Sequence, residues 1–404
     1  MIPEVRKAYN DSFSEEAYSS FLEDMDMAFG HPVKFRVAES PVFVPPVLLA
    51  KLRQAGDEII QTIKRSDFKS ISEAAIPAEW NVPNEDNHSR FLALDFAVCQ
   101  DQNGEPEPQL IELQGFPSLF AYQDFLQSKY REYFNVPDDF TAFFGGIKSS
   151  AYKAKLKETI LGIHDPKHVV LLEVEPEKQN TAIDFFVTRK VTGVEPLCIS
   201  KVIREGKQLF YERKGVKTQI KRIYNRVIVD EFAKRTDLKC QFNLTEDVDV
   251  EWVCHPNWFF RISKYIMPYL QSSFVPWCDF LSNVTEIPAD LENYVLKPLF
   301  SFSGAGVIFH VTEQDILSIP ESDRKNFLLQ RKVNYAPLLQ APDGGIKVEI
   351  RLLYFWPENQ ESPDLVINLS RLSRGELIGV KYNKDKTWVG GSVCFFPPEA
   401  GKTA

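Results

Sequence analysis

No two of the six cysteines, Cys99, Cys198, Cys240, Cys254, Cys278 and Cys394, stand in a CxxC pair. Spread in this way they read as reduced structural thiols of a cytosolic protein. The six histidines build no HExxH helix. His164 and His168 are four apart, but Pro166 lies between them and a strand follows, so no zinc site is expected. Long apolar runs are absent. Those present are short, such as Val169–Leu172, far below the roughly 18 residues of a membrane span. The opening MIPEVRKAYNDSF has no apolar stretch behind its charges, so no signal peptide is expected and the cytoplasm is the expected location. Basic charge is also short. A net charge of -9 argues against a dedicated nucleic-acid binder, though one basic cleft could still hold a small anion. No GxGxxG follows a strand, no GxSxG elbow occurs, and no Gly-Lys-Ser/Thr ends a glycine loop.

The composition that remains is that of a globular chain, with 44% hydrophobic and 25% charged residues among 404. Such a length suggests about two or three domains, or one complex one. It can bury a large core without metals or disulfides. The 31 Phe and 14 Tyr read mainly as core. No internal repeat is visible. Residues 1–45 read as short helices and loops. Leu48, Leu52, Ala55, Ile59 and Ile63, with charged residues between them, predict an amphipathic helix over 47–64. Residues 69–90 read as a loop. Phe91–Val98 and Gln109–Gln114 predict two strands joined as a hairpin, and 119–134 a helix. From 165 to about 246 the order strand, helix, strand predicts a small parallel α/β unit. A third region, from 247, is richer in strand signals.

Three constellations could carry chemistry. The first is Tyr294-Val295-Leu296-Lys297-Pro298 followed by a small-residue loop with Ser303, Gly304 and Gly306 and then Val307-Ile308-Phe309. Backbone N–H groups in such a loop can approach phosphate oxygens, with Lys297 as a point charge. A plain hairpin turn needing two glycines explains it equally well. The second is the hairpin carrying Asp95, Glu112 and Gln114, whose oxygens suit a hard cation such as Mg²⁺. Acids on the solvent face of a sheet are the alternative. The third is Lys347-Val348-Glu349-Ile350-Arg351, charged on one face of a strand, where Arg351 could stabilise a transferring phosphoryl group or merely face solvent.

Taken together, these segments resemble the ATP-grasp superfamily. YVLKPLFSFSGAGVIF is similar to its strand, Lys-Pro, glycine loop and strand. FLLQRKVNYAP is similar to its adenine hinge, VEIRLL to its D-x-R strand, and NLSRLSRG with NKDKTWVGGS to its Arg and Asn stretch. LALDFAVCQDQNGEPEPQLIELQGFPSL resembles its metal-binding end. That last element commonly comes at the end of the domain, but here it stands first. The order resembles the circularly permuted ATP-grasp group that includes glutathionylspermidine synthetase-like proteins. HPNWFFRISKYIMPYL, with Lys264, looks like the helix entering the grasp domain.

The resemblance implies an α+β, circularly permuted ATP-grasp fold. Its expected parts are an N-terminal extension at 1–45, the metal-binding part of the C-lobe at 46–150, a pre-grasp α/β unit at 165–246, and the N-lobe with the remaining C-lobe at 247–404. It further implies ATP and Mg²⁺ as cofactors. Asp95, Glu112 and Gln114 would bind the metal. Lys264 and Lys297 would contact phosphates, Ser303, Gly304 and Gly306 would form a lid loop, and Gln330 would start the hinge strand that holds adenine. Arg351, Arg371 and Asn383 would serve the reaction. The implied activity joins a carboxylate to an amine or thiol through an acyl-phosphate, on small-molecule substrates such as amino acids or peptides. Gln114 stands where the family usually has Asn, and Arg331 where the hinge usually has Glu. These departures keep two other functions in view: a nucleotide-binding pseudoenzyme acting as sensor or partner, and a phosphotransferase on the same fold.

Overall fold

The structure, a computed structural model, describes residues 1–299, 306–375, 378 and 383–398. The predicted hairpin forms from the strands Phe91–Gln100 and Pro106–Gln114, antiparallel and with Asp95 opposite Glu112. From Phe91 to Cys99 every residue is buried, because other elements cover both faces of this strand. Its second edge is taken by Gly344–Phe355, some 250 residues later, with Arg351 opposite Asp95. Asp364–Ser373 and then Gly390–Ser392 extend the same sheet, and Leu339–Ala341 pairs with the start of Gly344–Phe355. All of these pairings are antiparallel. The helix Pro46–Ile63 buries Leu48, Leu52, Ala55, Ile59 and Ile63, the stripe its spacing predicts.

Besides the two-stranded pairing of Val42–Phe43 with Cys394–Phe395, three smaller sheets accompany this one among the described residues. Glu251–Val253, Arg222–Asn225, Val169–Glu173 and Glu195–Cys198 form a four-stranded parallel sheet, with the helix Ala182–Thr192 linking two of its strands; the α/β unit expected at 165–246 thus takes an edge strand from beyond its expected end. Ile203–Glu205, Gln208–Arg213 and Val216–Ile220 make an antiparallel meander. Cys278–Phe280, Phe327–Arg331 and Tyr294–Pro298 make a small antiparallel sheet with a core of its own around Leu281, Leu296, Ile316 and Leu329.

Several expectations change. Residues 1–45 are no appendage. The helices Pro3–Ser12 and Glu15–Met27 place Tyr9, Tyr18, Phe21 and Met25 in the main core. Tyr9, Tyr18 and Tyr130 donate their hydroxyl hydrogens to the carbonyls of Glu39, Val37 and Ala38 at 2.7, 2.6 and 2.6 Å. The next residues, Val42–Phe43, pair in parallel with Cys394–Phe395. The expected loop at 69–90 holds the short helix Phe68–Ile71 and two 3₁₀ turns. The strand expected at 307–309 shrinks to one bridge, Leu296 to Ile308.

Candidate functional site

Register brings the site together. Side chains alternate across a strand, so Glu349 and Arg351 point to one face of the central sheet. Cross-strand pairing sets Asp95 beside Arg351, and Arg371 beside Glu349. The Arg351 guanidinium grips Asp95 with two hydrogen bonds, Nε to Oδ1 at 2.5 Å and Nη2 to Oδ2 at 2.6 Å. Arg371 Nη2 adds a third at 3.0 Å to Asp95 Oδ2, and its Nε donates to Glu349 Oε1 at 2.7 Å. Tyr335 donates its hydroxyl to Glu349 Oε2 at 2.9 Å. Gln114 Nε2 donates to Glu112 Oε1 at 2.9 Å.

Burial grades this network. The Asp95 side chain is 0% exposed and Arg351 8%, whereas Glu112 is 35% and Arg371 36% exposed. Glu112 and Arg371 therefore meet a ligand first, and the Asp95–Arg351 pair lies behind them. Burial pushes the Asp95 carboxyl up to about 6, against the pull of Arg351, with Glu349 adding to the rise and Arg371 opposing it. Burial also pushes Glu112 up, but Arg371, Arg351, Lys297 and Lys264 outweigh it and hold this carboxyl below its usual range. Those four cations face three carboxylates, Asp95, Glu112 and Glu349.

The lysines arrive from the smaller lobe. Lys297 sits on Tyr294–Pro298, its Nζ 3.5 Å from the Ile111 carbonyl. Burial lowers its pKa, and Glu112 partly restores it. Lys264 opens the 3₁₀ helix Lys264–Tyr269, rather than lying within a longer α-helix, and donates to the Pro298 carbonyl at 2.8 Å. Burial pulls Lys264 down to about 8, against Glu112 and helped by Lys297.

Not every expected residue joins them. Asn383 braces the end of the Asp364–Ser373 strand, accepting from Ser373 Oγ at 3.1 Å and from the Arg374 N–H at 2.9 Å. Gln330 does not start the hinge strand. It lies fourth of five residues in Phe327–Arg331, the middle strand of its sheet, so its backbone groups belong to the ladder and are not open to a base. Its side-chain Oε1 is buried without a hydrogen-bond partner. Gly306 adopts φ +72°, with Pro298 Cγ 3.1 Å from where a Cβ would stand. Ser303 and Gly304 lie outside the described residues. Tyr335 was missed by sequence reasoning. The signal available was one hydroxyl-bearing residue in the apolar stretch after the hinge strand.

Asp95, Glu112 and Gln114 are neighbours with oxygen donors, but both Asp95 oxygens are held by guanidinium groups and Gln114 turns its amide hydrogen to Glu112. Among the described residues no cluster of three acidic, His or Cys side chains is arranged to hold an ion. The arrangement does not fit a free divalent cation. With one positive charge in excess, it fits an anion.

No protein-family model matches the chain, and no curated relative does. Among solved structures, a glutathione synthetase-like effector (GSS30) from Globodera pallida, in its apo form, matches with a TM-score of 0.58. The match covers 95% of this chain and 96% of that one at 10% identity. The chain has an α+β fold, and its overall arrangement is similar to that of this effector. At that identity the likeness speaks for the fold alone.

Proposed function

We propose that this chain binds the phosphate tail of ATP between its small and central sheets and uses it to join a carboxylate to an amine. The observation that supports this most is the convergence of Lys264 and Lys297 from one lobe with Arg351 and Arg371 from the other, around a single partly open carboxylate, Glu112. The frame reads as a circularly permuted ATP-grasp fold, because the hairpin Phe91–Gln114 precedes the other strands in sequence yet pairs directly with Gly344–Phe355. In this reading the substrate carboxylate attacks the γ-phosphorus and ADP leaves. The amine then attacks the acyl carbon, phosphate leaves, and the amine gives up a proton. Lys264 and Lys297 hold the phosphate chain. Arg371, at the open edge, meets the charge that develops on the transferring group.

A second reading has its own support. Asp95 already neutralises Arg351, the residue expected to act on the transferring phosphoryl group. That pairing favours a nucleotide-binding protein without turnover. Calorimetric titration with ATP, followed by a screen of amino acids, peptides and polyamines for ADP release, separates the two. ADP release that depends on a substrate pair supports the ligase. Tight ATP binding with no release for any pair supports the pseudoenzyme. A folded chain that binds no ATP, with Lys297→Ala changing nothing, sinks both.

A further inference from the structure

Away from the cleft, the helix Pro3–Ser12 and the segment 338–342 border a half-open cavity of about 470 Å³, a size usual for small-molecule sites. Leu338 and Pro342 supply apolar wall, and Arg6, Lys7, Asn10 and Gln340 supply polar groups. Arg6 is the unusual member, only 3% exposed and yet without a carboxylate partner. Its guanidinium donates from Nη1 to Ser40 Oγ and, at 3.5 Å, to the Pro41 carbonyl. Nη2 donates to Asn10 Oδ1 at 2.5 Å. The rings of Tyr9, Phe43 and Trp388 surround it, with Tyr9 at 4.5 Å from its centre. Nε is buried with no acceptor. An arginine has five N–H bonds, so Nε–H and one hydrogen on Nη2 remain. Of the two acids on this helix, Glu4 is exposed, and Asp11, which lines the cavity, is held by Lys7 at 2.5 Å.

A buried cation whose partners are all neutral is costly, and an anion beside it lowers that cost. We propose that this cavity is a second binding site and that its ligand is an organic acid, a carboxylate on an apolar body. The carboxylate accepts from the unused Nη2 hydrogen of Arg6, beside Asn10, with Nε–H buried behind it, and the body lies against Leu338 and Pro342. The site is separate from the nucleotide cleft and does not depend on what that cleft does.

The test uses hexanoate as the probe, hexanamide as its neutral match and inorganic phosphate as a bodiless anion, each titrated calorimetrically into the full chain. Hexanoate should bind at one site and raise the melting temperature. Hexanamide should bind about tenfold more weakly or not at all, as expected for a lost charged hydrogen bond. Lys7→Glu, an exposed change that sets a negative charge at the mouth, should weaken hexanoate several-fold. Arg6→Met should abolish binding. Because Arg6 also ties the helix to Ser40, the Lys7→Glu result carries the test if Arg6→Met does not fold. No heat with hexanoate, equal binding of hexanamide, stronger binding of phosphate, or no effect of Lys7→Glu would each overturn the proposal.

Discussion

Asp95 is the most constrained residue of the site, with both oxygens committed to arginines and no exposure. Removing its charge leaves Arg351 buried without its partner, so Asp95→Asn should cost about 3 kcal/mol in urea unfolding. The same change lifts a negative charge from the cleft and should tighten ATP binding, read by titration. Lost stability with gained affinity would mark Asp95 as a restraint on the arginines. Loss of both would mark it as part of the ligand site. Lys297→Ala should weaken ATP about tenfold or more without comparable loss of stability. Lys264 carries a pH signature. Burial brings it down to about 8, so it sheds its proton in the folded chain as pH rises past that value. ATP affinity should fall between pH 7 and 9, and Lys264→Gln should flatten the curve. The stability sign is opposite. Between about 8 and the usual lysine value the unfolded chain holds more protons at this group, so its contribution to stability rises with pH.

At the scale of elements, local pattern served well where one segment decides its own structure. The helix at 47–64 followed from its apolar spacing, and the hairpin from two apolar runs around a polar turn. Pairing between distant segments left no such trace. That Arg351 meets Asp95 follows from register between strands some 250 residues apart, and only the likeness of short motifs hinted that they belong together. The helix Ser149–Leu161 was unread because lysines and serines interrupt its buried Tyr152, Leu156 and Ile160. Gly390 shows a role that periodicity does not disclose. It adopts φ +130°, and a Cβ there would stand 2.5 Å from the Arg36 carbonyl oxygen, where the N-terminal segment crosses the strand Gly390–Ser392. Gly390→Ala should therefore destabilise by about 2 kcal/mol or more, through both backbone strain and the clash. A thermal melt unchanged by this substitution would contradict that account.

For the whole molecule, the main core is one body to which both chain ends contribute. Tyr9, Phe21 and Met25 share it with Phe91, Phe355 and Phe395. Removing residues 1–45 would strip these side chains and the pairing partner of Cys394–Phe395. The truncated chain should fail to fold, losing its near-UV circular dichroism and its cooperative melt. A soluble, cooperatively melting truncation would restore the picture of a detachable extension. The parallel seam between Val42–Phe43 and Cys394–Phe395 also bears on how the chain is made. A ribosome releases the first strand of that seam long before the second exists. The hairpin Phe91–Gln114 likewise emerges with its inner edge bare until Gly344–Phe355 follows. The α/β unit between them pairs only within itself and can settle early, but the central sheet stays incomplete until Gly390–Ser392 has been made. During that interval the nascent chain carries a long apolar strand with no neighbour on one side, an edge on which the strand of another chain could pair.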